Sequence, residues 1–348
     1  MSRAVVPLFA SLVVACSPAN VGGPSDAGSS TADTGGGHDT GSPAEAGTEA
    51  GTSVTQACTD YASARCARIQ SCSPTAMQTH YGDVGTCVSL LIQSCLNGAA
   101  APSTGTTVAE LETCVSHVSA WGCHDIIVNK NPPSQCITPP GGLATGAACA
   151  FPQQCQSAFC AIVPGAACGV CATAPAAGAP CANLTNCGQD LSCTSANTCE
   201  PYAATGGACN GVFPCSPGLT CVGASGATKG TCQTSATTAG AGCGSSGPSC
   251  DVWAGLACNS ASLQCAPLVL GGNGDQCGYV NLQNSACLDG LCAGIVGSMP
   301  GTCVQYPAIG GSCDLVSGPS CFVPVRCVAA GDGGTAGTCQ IADATMCH

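Results

Sequence analysis

The chain has few basic side chains: six Lys and Arg stand against 18 Asp and Glu, for a formal net charge of −12. A nucleic-acid partner needs clustered cations to neutralise phosphates, and these six form no cluster, so that class of partner is excluded. Aromatic residues are scarce too, 12 in 348, and Leu, Ile, Val and Phe together number only 57. That is about 16%, below the roughly 20% of a packed soluble domain. Burial of so little apolar surface cannot offset the conformational entropy of the chain. After residue 16 no apolar run approaches the roughly 20 residues of a membrane-spanning helix. Also missing are GxSxG, HExxH, the phosphate-binding and dinucleotide glycine motifs, and a complete EF-hand loop. "AGDGG" at 330–334 carries one acid, too few for a calcium cage. No enzyme, metal or cofactor is expected.

What the chain has instead is 35 Cys, with 48 Gly and 23 Pro. Covalent cross-links then supply the stability that burial does not, in an oxidising compartment. The expected fold is small and disulfide-rich: tandem four-cysteine modules with little regular secondary structure, preceded by a short disulfide-stapled all-α segment.

The first cysteine stands apart. Arg3 and the apolar stretch 4–15 read as a signal peptide over 1–15, and "VVAC" at 13–16 resembles the bacterial lipobox. The resemblance implies cleavage before Cys16 and its acylation, with each buried CH2 contributing about 0.8 kcal/mol to anchoring. Residue 17 is Ser rather than Asp, so the inner-membrane retention signal is absent, which points to the outer membrane or cell surface. Removing Cys16 leaves 34 cysteines, an even number that internal pairing can exhaust. Residues 16–56 then form a lipid-anchored disordered tether of small and acidic residues, spanning about 35 Å as a flexible coil.

From 57 to 137 the pattern is helical. Cys58, Tyr61, Ala62, Cys66 and Ile69 share one helix face. Val84, Cys87, Val88, Leu91 and Cys95 repeat it, with Asp83 as N-cap and Asn97-Gly98 as stop. Val108, Leu111, Val115 and Val118 form a third stripe behind a Thr107/Glu110 capping box. Three short helices are expected. Their eight cysteines (Cys58, Cys66, Cys72, Cys87, Cys95, Cys114, Cys123 and Cys136) can close four bridges. Trp121 is expected to pack on this segment. His80, His117 and His124 read as surface polar residues, since His124 and Asp125 point apart and no nucleophile motif accompanies them.

Over 146–348 a repeat takes over. The first cysteines of successive modules are Cys149, Cys181, Cys209, Cys243, Cys277 and Cys313, each preceded at the third position by a glycine, from Gly146 to Gly310. A glycine at so fixed an offset predicts a positive φ. Module one continues with Cys155, Cys160, Cys168 and Cys171, module two with Cys187, Cys193 and Cys199, and module three with Cys215, Cys221 and Cys232. Module four adds Cys250, Cys258 and Cys265, module five Cys287, Cys292 and Cys303, and module six Cys321, Cys327 and Cys339. Each module is too small to fold without bridges, and four cysteines allow three pairings. Module one has a surplus cysteine, and Cys347 stands alone at the start of an absent seventh module. In a rod the two ends lie far beyond the roughly 4.4–6.8 Å between bridged Cα atoms. Cys347 is therefore expected to close onto Cys321, Cys327 or Cys339, with bridges between neighbouring modules passing an unpaired cysteine along the rod.

Cys149 to Cys199, with the C-x5-C-x4-C opening, "CGVC" at 168–171 and a closing ladder of x5 gaps, resemble the Dickkopf N-terminal cysteine-rich domain. The likeness covers about 50 residues, and the chain has the single Cys187 where that family has an adjacent pair. The whole plan resembles the cysteine-rich surface lipoproteins of myxobacteria. The Wnt antagonism of the animal proteins does not transfer with a scaffold.

"CGVC" lacks the strand before and helix after that a redox pair needs, so structural bridging is expected there. The x4 to x11 gaps and the lack of nearby His argue for bridges over zinc in the other modules. Trp253, Tyr279 and Tyr306 offer rings for a weak polysaccharide contact. The expected function is a non-enzymatic surface lipoprotein with a structural, adhesive or protein-interaction role. It is held to the membrane by its lipid and has a protein or glycan partner. The alternative is a protease inhibitor presenting Lys229 in "VGASGATKGT" between Cys221 and Cys232.

Overall fold

The computed structural model describes residues 52–137, 139–181, 187–188, 190–194, 196–210, 214–225, 228–244, 247–295, 299–316, 318–331 and 334–347. Cys16, the lipobox and the tether to residue 51 lie outside them. The first body is helical: α1 (Val54–Cys72), α2 (Pro74–Tyr81), α3 (Val84–Ala99), α4 (Val108–His117) and α5 (Cys123–Ile127). The three predicted stripes are α1, α3 and α4. Cys58, Ala62, Cys66 and Ile69 are all buried on α1. Asp83 caps α3 by accepting from the Thr86 N–H, and both bonds of the Thr107/Glu110 capping box form. Helix α1 begins at Val54, ahead of the expected boundary, because the Ser53 hydroxyl accepts from the Gln56 N–H. Helices α2 and α5 are additions to the expected three. They span eight and five residues, too few to display a period. Ser73 starts α2 by accepting from the Ala76 N–H, with Pro74 at the first helical position.

Four bridges staple this body. Cys58–Cys95 and Cys66–Cys87 clamp α1 to α3, Cys72–Cys123 ties α1 to α5, and Cys114–Cys136 ties α4 to the turn Ser134–Cys136. Trp121 packs on the segment as expected: it is 3% exposed, donates through Nε1 to the Lys130 carbonyl, and lies beneath the Arg65 guanidinium. Asn97-Gly98 is not a stop, since α3 runs on to Ala99. Asn97 donates to the Ala342 carbonyl, and a Cβ on Gly98 would strike Gln153. The pair is a point of contact with modules one and six.

With module one's surplus Cys168 set aside, all six modules use the same one of the three pairings, first cysteine to third and second to fourth. Examples are Cys209–Cys221 with Cys215–Cys232 and Cys313–Cys327 with Cys321–Cys339. The third and fourth cysteines face each other across an antiparallel ribbon, as Cys221 does Cys232 and Cys327 does Cys339. Each then reaches back to an earlier cysteine, so the two bridges cross. In modules one, three and six the short first strand adds to the ribbon's return strand. Modules four and five share a seven-stranded sheet, joined where Val269–Gly271 runs parallel to Gln283–Cys287. The repeated glycine has φ between +80° and +90° in every module, with nothing near a would-be Cβ, so conformation alone demands it. Its N–H donates to the carbonyl of the fourth cysteine, as Gly240 does to Cys265 and Gly310 to Cys339.

The expected rod is absent. Bridges do not link neighbouring modules, and Cys347 bonds to Cys168 in module one, 179 residues away in sequence, with Cα atoms 5.5 Å apart. The modules curve round the helical body as a belt whose end returns to its beginning. The rod expectation treated each module as touching only its neighbours, but every module also docks on the helical body or the loops beside its helices. Cys168 is the surplus cysteine of module one, so the two odd residues find each other.

Candidate functional site

The belt–hub interface is built module by module, and most of the chain's cations serve it or the hub interior. In module one, Phe151 packs with Ala101, and Gln154 donates to the Pro102 carbonyl. At module two, Lys130 lies over the Tyr202 ring and 3.5 Å from the Leu191 carbonyl. Module three sets Gly218, at φ +82°, against the His124 ring. Module four inserts Trp253, edge-on to His80 at 5.0 Å, and its carbonyl accepts from the buried Ser73 hydroxyl at 2.5 Å. In module five the Asp289 N–H donates to the Gln78 carbonyl. Module six contributes Phe322, 1% exposed, against Tyr81 at 4.6 Å, so that Tyr306, Val325 and Ile341 join the hub's core. Arg326 then crosses to module one, donating to the Ala150 and Ala167 carbonyls.

Two of the three histidines, His80 and His124, depart from the expected surface role. His80 is buried, and desolvation pushes its imidazole down to about 4, so it is neutral where it packs on Trp253. His124 Nε2 lies 2.8 Å from Asp251 Oδ2, a pair spanning hub and module four. The hydrogen bond to Asp251 raises His124 above its ordinary value against the opposing effect of partial burial. Burial pushes the Asp251 carboxyl up, but His124 and the backbone N–H groups of Trp253 and Ala254 outweigh it and hold it below the usual range. The pair joins two bodies, the hub and module four. His117 donates to or accepts from its own helix through Nδ1.

"CGVC" does not close on itself: Cys171 bonds Cys155 while Cys168 bonds Cys347. Groups of three module sulfurs within 4.8 Å of one another are crossing disulfides side by side, with no thiolate to offer a metal. Of the three rings proposed for a glycan, Tyr306 is 2% exposed and Trp253 is engaged with His80. Only Tyr279 stands exposed, with its hydroxyl against Ser260. Lys229 is exposed beside the hairpin strand Gly230–Thr234, with the Cys209–Cys221 and Cys215–Cys232 bridges bracing its base. An open apolar depression lined by Phe159, Ala161, Ala172 and Pro175 lies where module one meets module two.

Sequence reasoning missed Asp251, Asn97, Phe322 and Arg326 as docking residues. The signal for Arg326 was scarcity, since only six Lys and Arg stand in the chain. For Cys168 and Cys347 the signal was parity, two odd cysteines at opposite ends of one array. Compared with family models, with curated proteins and with solved structures, the chain matches none of them.

Proposed function

We propose that this is a non-enzymatic cell-surface lipoprotein, anchored through acylated Cys16 in the bacterial outer membrane and acting through a protein partner in a structural or adhesive role. The observation that carries the reading is the closed cysteine account: Cys58 to Cys347 form 17 internal pairs, which leaves Cys16 no cysteine partner within the chain. The "VVAC" junction and signal-like stretch give that residue its chemistry. A belt locked round a core suits a body exposed to proteases and to varying conditions outside the cell. A protein partner is favoured over a glycan because, of the three candidate stacking rings, only Tyr279 is exposed. The Dickkopf-like spacing of modules one and two is taken as likeness of scaffold, without the signalling role.

Metabolic labelling with a fatty acid tests the anchor. The wild type incorporates label and fractionates with membranes, while Cys16→Ser is unlabelled and soluble. An unlabelled wild type overturns the reading. A pull-down from cell-envelope fractions with the oxidised ectodomain then identifies the partner.

A second reading rests on Lys229, exposed on a hairpin braced by two bridges. In that reading the loop enters the acidic specificity pocket of a trypsin-like protease. Tight, saturable inhibition lost in Lys229→Ala supports it, and uninhibited protease dismisses it.

A further inference from the structure

The Cys168–Cys347 bridge differs from its neighbours in three independent ways. Each of the other twelve bridges beyond residue 138 lies within one module and has at least one buried cysteine, whereas Cys168 and Cys347 are both partly exposed. Opening one of those twelve removes half the cystine core of a module. Opening Cys168–Cys347 frees only the C-terminal tail. That tail is otherwise held by Ala342 and Ala344 against Ala101, Ala150 and Phe151, and by the Asn97 bond to the Ala342 carbonyl. Alanines bury little apolar area, so the tail has weak hold of its own. The rest of module six keeps Phe322 in the hub, Arg326 on module one, and the bond from the Ala329 N–H to the Gly165 carbonyl.

We propose that Cys168–Cys347 is a thiol-exchange site, opened selectively by an external dithiol to release the tail while the modules and hub stay folded. Arg326 donates to the carbonyl of Ala167, the residue before Cys168, so its guanidinium is held at the backbone next to Cys168. A nearby cation stabilises a thiolate, and the better-stabilised thiolate is the better leaving group. The incoming thiolate therefore attacks Cys347 Sγ. A mixed disulfide forms there, the Cys168–Cys347 bond breaks, and its electron pair leaves on Cys168. The second thiol of the dithiol then attacks its own sulfur in the mixed disulfide, leaving the reagent as a cyclic disulfide and Cys347 as a thiolate. Two electrons pass from the dithiol to the protein, and both protein thiolates take protons in keeping with the ambient pH. The undocked tail lowers the effective concentration of the two thiols, which favours the opened form.

The test uses the full oxidised chain in detergent. It is titrated with dithiothreitol, quenched with N-ethylmaleimide and mapped by mass spectrometry. Cys168 and Cys347 should be alkylated first, at a rate at least tenfold above any other pair, with hydrogen exchange rising over 342–347 but not over 313–341. Earlier or equal opening of Cys72–Cys123, the partly exposed bridge of the hub, overturns the proposal, as does opening of all bridges in one step. With glutathione, a monothiol, the adduct should sit on Cys347, and an adduct on Cys168 overturns the assigned direction of attack.

Discussion

The helical hub and the belt modules are both cysteine-rich, yet they use disulfides differently. In the hub, bridges reinforce a core that the helices already make from Ile69, Met77, Leu90, Val118, Trp121 and Ile126. In modules one and two the buried cluster consists of four cysteines, with Leu143, Ile162 or Leu191 packed against it among the described residues. An amphipathic helix buries a stripe of side chains each time it meets another. A module of some thirty residues has too few large side chains to do so, and sulfur fills its centre. Several of the modules' large apolar groups, Phe322, Tyr306 and Trp253 among them, turn onto the hub.

The sharpest way to break this comparison is to remove one bridge from each body. Cys215→Ser/Cys232→Ser should cost up to about 5 kcal/mol and unfold module three, exposing it to proteolysis. Cys58→Ser/Cys95→Ser should lower the melting temperature but leave the far-UV helical signal. Equal loss of structure in both would erase the distinction.

Docking comes next. Phe322→Ala removes the ring that module six inserts beside Tyr81, at a cost of about 3–4 kcal/mol. Hydrogen exchange should then rise across 312–341 while modules two and three keep their protection.

Acid probes the same interface from the hub side. His80 is neutral in the folded state with its pKa pushed down to about 4, so the unfolded chain binds a proton that the folded one refuses. Stability should fall as pH drops from about 6.5 to 4, by roughly 3 kcal/mol, and level off below. His80→Phe should flatten that limb of a denaturant-midpoint profile against pH. His124 works in the opposite sense: its raised pKa gives stability present below about 6.5 and lost as pH rises through the folded value. Asp251, held low, loses its share only as pH falls through its own depressed pKa. His124→Asn should therefore cost more at pH 6 than at pH 9.

The smallest effect is conformational. Gly240 holds φ at +82° with open space around it, so Gly240→Ala should cost about 1–2 kcal/mol within module four, read as a small fall in that module's protection. The same change at Gly331, where φ is not positive and no atom lies near, should be silent.

Much of this was legible in the residues. The stripes over 58–69, 84–95 and 108–118 marked three helices because burial of one face imposes a 3.6-residue period on the sequence. The glycine at every third position before a module's first cysteine marked a left-handed turn because only glycine takes it without cost. Parity showed that internal pairing could use all 34 cysteines. Helices α2 and α5 were not legible, because eight and five residues are too few to display a period and their ends are set by Ser73 and by the Cys72–Cys123 bridge.

The sequence by itself determined local matters: which residues turn, which face is buried, and that covalent bonds must replace a missing core. It could not determine which sulfurs meet or whether the array runs straight, because both depend on distances between residues far apart in the chain. The contacts of Phe322, Trp253 and Gly218 with the helices bend the belt, and only that bend brings Cys347 to Cys168 across 179 residues. A repeat pattern records how each module holds itself, whereas closure of the belt arises from the second surface, on which all the modules dock.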